Sequence, residues 1–90
     1  IVTDYNPRTE DPAAIRRVLV EAAAEARPDA ELYEIPDARE GIRKAVALAE
    51  AGDAILVAGP GHETHSEIGG ERVRYSARDE AREALREAGW

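Results

Sequence analysis

The amino-acid sequence predicts an α/β domain with a mostly parallel sheet, and three observations support that prediction. Strand patterns alternate with segments whose apolar residues recur at helical spacing, in the order strand, helix, strand, helix, strand. The third strand pattern, Ala54–Ala58, is a continuous apolar run, which is typical of a strand covered by helices on both faces. A hairpin pattern and a final helix pattern complete the chain.

The first predicted elements are a short strand and a helix. Ile1–Thr3 carries β-branched residues and stops at the turn-forming residues 4–7. Because the chain opens inside this strand pattern, we expect a piece of a longer protein whose sheet is truncated at its N-terminal side. Asp11 and Pro12 form a helix start signal, with Asp11 as the N-cap and Pro12 at the first helical position. The buried face of this helix is expected to consist of Ile15, Val18, Leu19, Ala22 and Ala26.

The second strand and helix show comparable signals. Glu31–Ile35 alternates polar and apolar residues, as a strand covered mainly on one side does. Asp37 is the predicted N-cap of the next helix, and Gly52 is its predicted C-terminal cap. Its buried face is expected to consist of Ile42, Ala45, Val46, Leu48 and Ala49.

The last elements are predicted to be a β-hairpin and a third helix. Residues 66–68 and 72–75 flank Gly69-Gly70, which suits a tight turn. Ser76 is the predicted cap of the final helix, whose inner side is expected to carry Ala81 and Ala84.

Composition limits the function classes that this chain suits. Its 90 residues form one domain at most, and Ala (18 residues) outnumbers Ile, Val and Leu together (17), so the core is small. A net charge of −7 argues against a nucleic-acid or anionic-membrane surface, which needs clustered basic residues. The chain has no Cys, which excludes disulfides and thiolate metal sites, and no apolar run approaches the roughly 18 residues of a membrane span.

Two loops that leave predicted strands carry the candidate chemistry. Asp4–Arg8, the Asn-Pro-Arg loop, follows the first strand, and Gly59–Glu63, the glycine loop, follows the third. Ligands of parallel sheets collect at the carboxyl ends of the strands, so we expect the two loops to share a cleft. The planar guanidinium of Arg8 suits a carboxylate, and Glu63 suits an ammonium group.

This pair of groups predicts a site for an amino acid, since an amino acid carries both charges. Asn6 adds an acceptor and donors, while Gly59 and Gly61 allow the backbone to approach a ligand closely. The same residues also fit a simpler interpretation, in which both loops are ordinary turns and Arg8 lies on a solvated surface. The sequence pattern alone leaves both interpretations open.

Metal and nucleotide sites are not favoured by the local motifs. His62 and His65 stand three residues apart in a predicted loop, without the helical spacing of a zinc-binding pair, so we expect no metal site. His62 is expected to orient its loop through a hydrogen bond. No Gly-Lys-Ser/Thr motif and no Gly-x-Gly-x-x-Gly motif is present, so no nucleotide site is predicted within this chain.

The two loops resemble signatures of the Mur ligase family. Residues 3–12, TDYNPRTEDP, are similar to the Thr-Asp-Asp-Asn-Pro-Arg-x-Glu-x-Pro signature, and residues 58–64, AGPGHET, are similar to Ala-Gly-Lys-Gly-His-Glu. The nearest branch is that of the UDP-N-acetylmuramoyl-tripeptide synthetases, which add the third residue of the peptidoglycan stem peptide. The resemblance spans essentially the whole chain. It implies that residues 1–90 form a C-terminal, amino-acid-binding domain whose fold is a Rossmann-like three-layer sandwich.

The resemblance also implies a function, which we state as an expectation. It implies an ATP-dependent, cytoplasmic ligase that uses Mg²⁺ and adds an amino acid, diaminopimelate in the nearest branch, to a UDP-linked muramoyl dipeptide through an acyl phosphate. The ATP-binding and catalytic motifs of that family belong to N-terminal and central domains outside this chain. We therefore expect no catalytic residue here, and no ATP hydrolysis or ligation by the 90 residues alone.

The family's amino-acid-binding residues carry over to named positions. The resemblance assigns substrate binding to Asn6, Arg8, Gly59 and Glu63, with supporting roles for Asp4, Tyr5 and His62. Two positions depart from the signatures, since Tyr5 replaces an Asp and Pro60 replaces a Lys. These departures leave open a ligase for another amino acid, and a non-catalytic module that binds an amino acid or a protein is a further alternative.

Overall fold

The computed structural model describes residues 1–90 and contains three helices and one two-stranded sheet. In chain order the elements are α1 (Pro12–Ala26), α2 (Ala38–Leu48), β1 (His65–Ile68), β2 (Glu71–Arg74) and α3 (Ala77–Glu87). None of the three helices is long and apolar enough to span a bilayer.

The predicted helix N-caps are confirmed. The side chains of Asp11, Asp37 and Ser76 each accept a hydrogen bond from a backbone N–H in the first turn of the helix that follows. The predicted C-terminal cap was wrong, because α2 ends at Leu48 and Ala49 caps it. Gly52 lies in the turn beyond, with a φ of +93°, a conformation that favours glycine.

The first two predicted strands are adjacent and parallel, but they pair only briefly. Val2 forms a parallel bridge with Glu34. The Val2 N–H donates to the carbonyl of Tyr33 at 2.8 Å, and the Ile35 N–H donates to the carbonyl of Val2 at 2.9 Å. The predicted α/β character is therefore confirmed, and the parallel pairing of these two segments is limited to this bridge.

The third predicted strand differs most from expectation. Ala54–Ala58 belongs to no sheet, and its backbone makes no hydrogen bond with any other backbone group. Leu56, expected to be buried, is 88% exposed. A strand exists only through pairing with a neighbour, and no segment of residues 1–90 is hydrogen-bonded to the backbone of this run. The full Rossmann-like sandwich is therefore not formed in this structure.

The C-terminal hairpin and helix are confirmed. β1 and β2 pair in antiparallel register, with Ser66 opposite Val73, and the turn consists of Gly69 and Gly70 at positive φ. This two-stranded sheet also receives an isolated parallel bridge from Arg8 to Ile68, which attaches the Asn-Pro-Arg loop to it.

The core lies between α2 and α3. Ile42 and Val46 of α2 pack with Ala84 of α3, and Ala81 lies against this cluster. At the surface of the same contact, the Arg43 guanidinium pairs with the carboxylates of Glu80 and Glu87. The two helices are thus joined by a small apolar cluster with ion pairs beside it.

The apolar face predicted for α1 is not buried. Val18 is 65% exposed and Leu19 is 50% exposed, and the helix has no buried residue. α1 is attached mainly through Arg16, whose guanidinium pairs with Asp4 and Glu34 on the two paired segments. No apolar element of the 90 residues covers the stripe, so its prediction as core was wrong for this structure.

Candidate functional site

The Asn-Pro-Arg loop holds two residues in the left-handed backbone region. Asn6 has a φ of +46° and Arg8 a φ of +58°. This region is uncommon for non-glycine residues, although Asn tolerates it better than most. Such strained conformations persist only where surrounding contacts hold them, and they cluster at functional sites.

Those contacts come from the hairpin. The backbone N–H of Arg8 donates to the carbonyl of Glu67 at 2.8 Å, and the N–H of Gly69 donates to the carbonyl of Arg8 at 2.7 Å. The N–H of Asn6 donates to the hydroxyl oxygen of Ser66 at 3.1 Å. The loop is therefore fixed on both sides of Pro7 by β1 and the turn after it.

The side chains of Asn6 and Arg8 have different freedom. The amide oxygen of Asn6 accepts from the N–H of Glu67 at 2.7 Å, so mainly its amide NH₂ remains for a ligand. The guanidinium of Arg8 makes no hydrogen bond and no ion pair within the chain, and it is exposed. An arginine without an internal partner is available for a carboxylate.

The glycine loop is tight and depends on its glycines. Gly59 and Gly61 have φ values of +109° and +57°. Pro60 between them is buried, and its carbonyl accepts from the N–H of Glu63 at 3.2 Å. The positive φ of Gly59 favours glycine, because a residue with a β-carbon would be strained in this conformation.

Tyr5 connects the two loops. Its hydroxyl donates to Oε2 of Glu63 at 2.6 Å, across 58 positions of the chain. Its ring lies against Gly59, where a β-carbon would stand 3.7 Å from Cδ1 of the ring. The hydrogen bond to Glu63, together with burial and the charge of that carboxylate, raises the pKa of the phenol, while the charge of Arg8 lowers it. Tyr5 therefore lies within electrostatic reach of both Glu63 and Arg8.

A polar pocket of about 460 Å³ lies where the two loops and the hairpin meet. Its volume falls within the roughly 300–1,000 Å³ of small-molecule sites. Its lining has no hydrophobic residue and consists of Asn6, His62, Glu63, Thr64, His65, Ser66, Glu67 and Arg72. Of the four predicted binding residues, Asn6 and Glu63 line this pocket, whereas Arg8 and Gly59 lie outside its lining.

A second, largely apolar cavity lies on the other side of Tyr5. It is bounded by the first segment of the chain, by α2 and by the run before the glycine loop, through residues that include Thr3, Tyr5, Gly41, Ile42, Val57 and Pro60. Tyr5 thus lines the apolar cavity, and its hydroxyl contacts Glu63 of the polar pocket.

The remaining predicted residues have identifiable contacts. Asp4 pairs with Arg16 of α1 at 2.5 Å, which anchors the start of the Asn-Pro-Arg loop. The prediction that His62 orients its loop through a hydrogen bond was wrong, because its ring forms no hydrogen bond with the rest of the chain; His62 instead lines the polar pocket. No group of three or more His, Asp or Glu side chains is arranged to hold a metal ion.

Two candidate functional residues were not predicted from the sequence. Arg72 of β2 brings a guanidinium to the polar pocket, with Nη2 3.4 Å from Nδ1 of His65. Arg16 of α1 holds Asp4 across 12 positions of the chain. The hairpin register places Arg72 and the packing of α1 places Arg16. Neither residue lies in a local sequence motif that indicates a functional role.

Comparison with protein families gives one match. Residues 1–61 match the model described as "Mur ligase, glutamate ligase domain".

Individual proteins are similar over nearly the whole chain. The UDP-N-acetylmuramyl-tripeptide synthetase of Leifsonia xyli is 58% identical over 90 residues, which are 100% of this chain and 18% of that protein. The UDP-N-acetylmuramoyl-L-alanyl-D-glutamate–2,6-diaminopimelate ligase of Chelativorans sp. is 51% identical over 97% of this chain and 17% of that protein. This chain therefore spans less than a fifth of the length of these relatives.

A solved structure agrees with the sequence matches. The structure of a UDP-N-acetylmuramoyl-L-alanyl-D-glutamate–2,6-diaminopimelate ligase superposes with a TM-score of 0.74 and 34% identity, over 98% of this chain and 18% of the other.

Proposed function

The chain belongs to the Mur ligase family, and from that premise we propose that it binds the incoming amino acid for an ATP-dependent ligase of peptidoglycan synthesis. The full enzyme would add the third residue, diaminopimelate, to a UDP-N-acetylmuramoyl dipeptide. The names and high identity of the relatives support this assignment. The observation that carries it is the meeting of the two loops at Tyr5 and Glu63, with the guanidinium of Arg8 left without an internal partner.

In this proposal the two loops divide the recognition of an amino acid. The carboxylate of Glu63 accepts hydrogen bonds from an ammonium group, and the guanidinium of Arg8 donates to a carboxylate. The amide NH₂ of Asn6 adds a donor from the wall of the polar pocket. Holding the amino acid in place is the contribution that this chain makes to ligation, since a fixed substrate presents its attacking amine as if at high concentration.

ATP and Mg²⁺ belong to the proposed enzyme but not to these residues. The chain has no Gly-Lys-Ser/Thr loop and no carboxylate cluster arranged for a metal ion. We therefore assign the nucleotide, the metal and the UDP-linked muramoyl peptide to N-terminal and central domains of a longer, cytoplasmic protein.

We also propose that residues 1–90 complete a Rossmann-like sandwich together with a strand from outside this range. The backbone of Val2 is hydrogen-bonded to Tyr33 and Ile35, whereas the N–H and carbonyl groups of Thr3 have no backbone partner. The extended run Ala54–Ala58 also has none. The apolar cavity lies between these two unpaired edges, above Ile42, which supports a missing strand at this position.

The departures at Tyr5 and Pro60 favour one alternative, a ligase of the same type that adds another amino acid. Both side chains line the apolar cavity next to the site, so they change its shape and charge.

An assay of the full-length polypeptide separates these possibilities. The enzyme is supplied with ATP, Mg²⁺, UDP-N-acetylmuramoyl-L-alanyl-D-glutamate and, in parallel, diaminopimelate, lysine or glutamate, and the tripeptide product is measured by mass spectrometry. Product with diaminopimelate supports the proposal, and product with lysine or glutamate alone supports the alternative. No product with any of them, from a folded protein that binds ATP, contradicts both.

A further inference from the structure

The carboxylate of Glu63 has a single side-chain partner. Oε2 accepts the hydrogen bond from the Tyr5 hydroxyl at 2.6 Å, and the carboxylate forms no ion pair and no other hydrogen bond. The carboxylate therefore depends on Tyr5 for its orientation, and Oε1 is left for a ligand.

Tyr5 is itself held in place through its ring. The ring lies beside Gly59, where a β-carbon would stand 3.7 Å from Cδ1 of the ring, and it borders the apolar cavity that Pro60 also lines. At these two positions the family signatures have Asp and Lys, whereas this chain has Tyr5 and Pro60. Tyr5 and Pro60 therefore lie close together, and this neutral, largely apolar pair stands where the family signatures have two charged residues.

The phenol is suited to donating a hydrogen bond throughout the neutral range. Its pKa lies above the ordinary value of 10.0, mainly because of the hydrogen bond to Glu63, so it keeps its proton at neutral pH. A carboxylate at position 5 could not donate in its ionised form, and it would repel Glu63.

We propose that Tyr5 is a positioning residue of the amino-acid site: its hydroxyl holds one oxygen of Glu63, so that the other oxygen receives the ammonium group of the substrate. This inference rests on the proposed function. Tyr5 acts through Glu63 and not by contact with the reacting atoms, so its loss affects capture of the amino acid and leaves the other substrates alone.

The test compares Tyr5→Phe with Tyr33→Phe in the full-length enzyme. Both variants lose one hydroxyl that donates to a carboxylate, Glu63 in one case and Glu31 in the other, and both keep the ring. Tyr5→Phe is expected to raise KM for the amino acid about tenfold with kcat nearly unchanged. KM for ATP and for the UDP-linked dipeptide, and the Tm, stay at wild-type values, and Tyr33→Phe changes none of these quantities.

A double-mutant cycle with Glu63→Gln isolates the contact. If Tyr5 acts through the carboxylate of Glu63, Tyr5→Phe has little further effect on KM in the Glu63→Gln background. Equal effects of Tyr5→Phe in both backgrounds, or a wild-type KM in Tyr5→Phe, would overturn the inference. A wild-type enzyme that ligates no amino acid would instead contradict the proposed function, so the two failures are distinct.

Discussion

Thr3 packs so closely against Gly41 that a β-carbon at position 41 would overlap the Cγ2 methyl group of Thr3. Gly41 is a buried residue inside α2, a place where glycine normally costs helix stability relative to alanine. The glycine allows the first segment of the chain to lie directly on α2.

This contact predicts that Gly41→Ala destabilises the protein, although alanine is the better helix former. Overpacking of this kind costs about 1–3 kcal/mol. Alanine gains about 1 kcal/mol over glycine in helix propensity, so the upper part of the overpacking range outweighs this gain. Urea unfolding measures the change. Thr3→Ser removes the methyl group, so Gly41→Ala in that background should lose less stability. A Gly41→Ala protein more stable than wild type would show that the contact is loose.

Arg8→Ala is expected to weaken binding of the amino-acid substrate by about 1.5–3 kcal/mol, the range for hydrogen bonds to charged groups. The exposed guanidinium has no internal partner to lose, so the fold should keep its Tm. Isothermal titration of the full-length protein with diaminopimelate measures the affinity. Arg17→Ala on α1, which removes another arginine without side-chain bonds, is the matched control. An unchanged affinity would remove Arg8 from the site.

The backbone of Ala54–Ala58 should be protected from hydrogen exchange in the full-length protein. A strand from outside residues 1–90 would give these amides the partners that they lack here. Exchange followed by mass spectrometry should then show protection like that of α2. Rapid exchange, as in an exposed loop, would contradict the completed sandwich. Protection that appears only as the protein dimerises would point instead to a second copy.

Alkaline pH should destabilise the domain partly through Tyr75. Burial, followed by the charge of Glu80, raises the pKa of its phenol above 10.0. A phenol with a higher pKa in the folded state contributes stability below its unfolded pKa, and this contribution is lost as the pH rises through the folded value. Unfolding free energies measured from pH 8 to 11 should therefore fall less steeply above pH 10 in Tyr75→Phe than in wild type. Equal slopes would contradict the assignment.

Local chemistry was sufficient to predict the helix starts and the hairpin. Asp11, Asp37 and Ser76 cap because a short polar side chain satisfies the first free N–H groups, and this needs no tertiary partner. The run Ala54–Ala58 and the stripe of α1 were predicted to be buried because they are apolar. Burial, however, depends on how closely other elements cover a segment, and within residues 1–90 both remain exposed.

The candidate site shows the same limit. Residue type and loop position indicated Arg8 and Glu63, and the two loops do meet at Tyr5. Which side chains contact one another depends on tertiary geometry, so the donation from Tyr5 to Glu63 had no signal in the sequence. The presence of Arg72 in the polar pocket likewise follows from the hairpin register, which turn chemistry alone does not fix.

The attachment of Arg8 to the hairpin has a mechanical consequence. The backbone of Arg8 is hydrogen-bonded to Glu67 on one side and to Gly69 on the other. We therefore expect the Asn-Pro-Arg loop and the hairpin to move together as a rigid unit. A fluorophore placed at the tip, on Gly70, would therefore report any displacement of the Arg8 backbone.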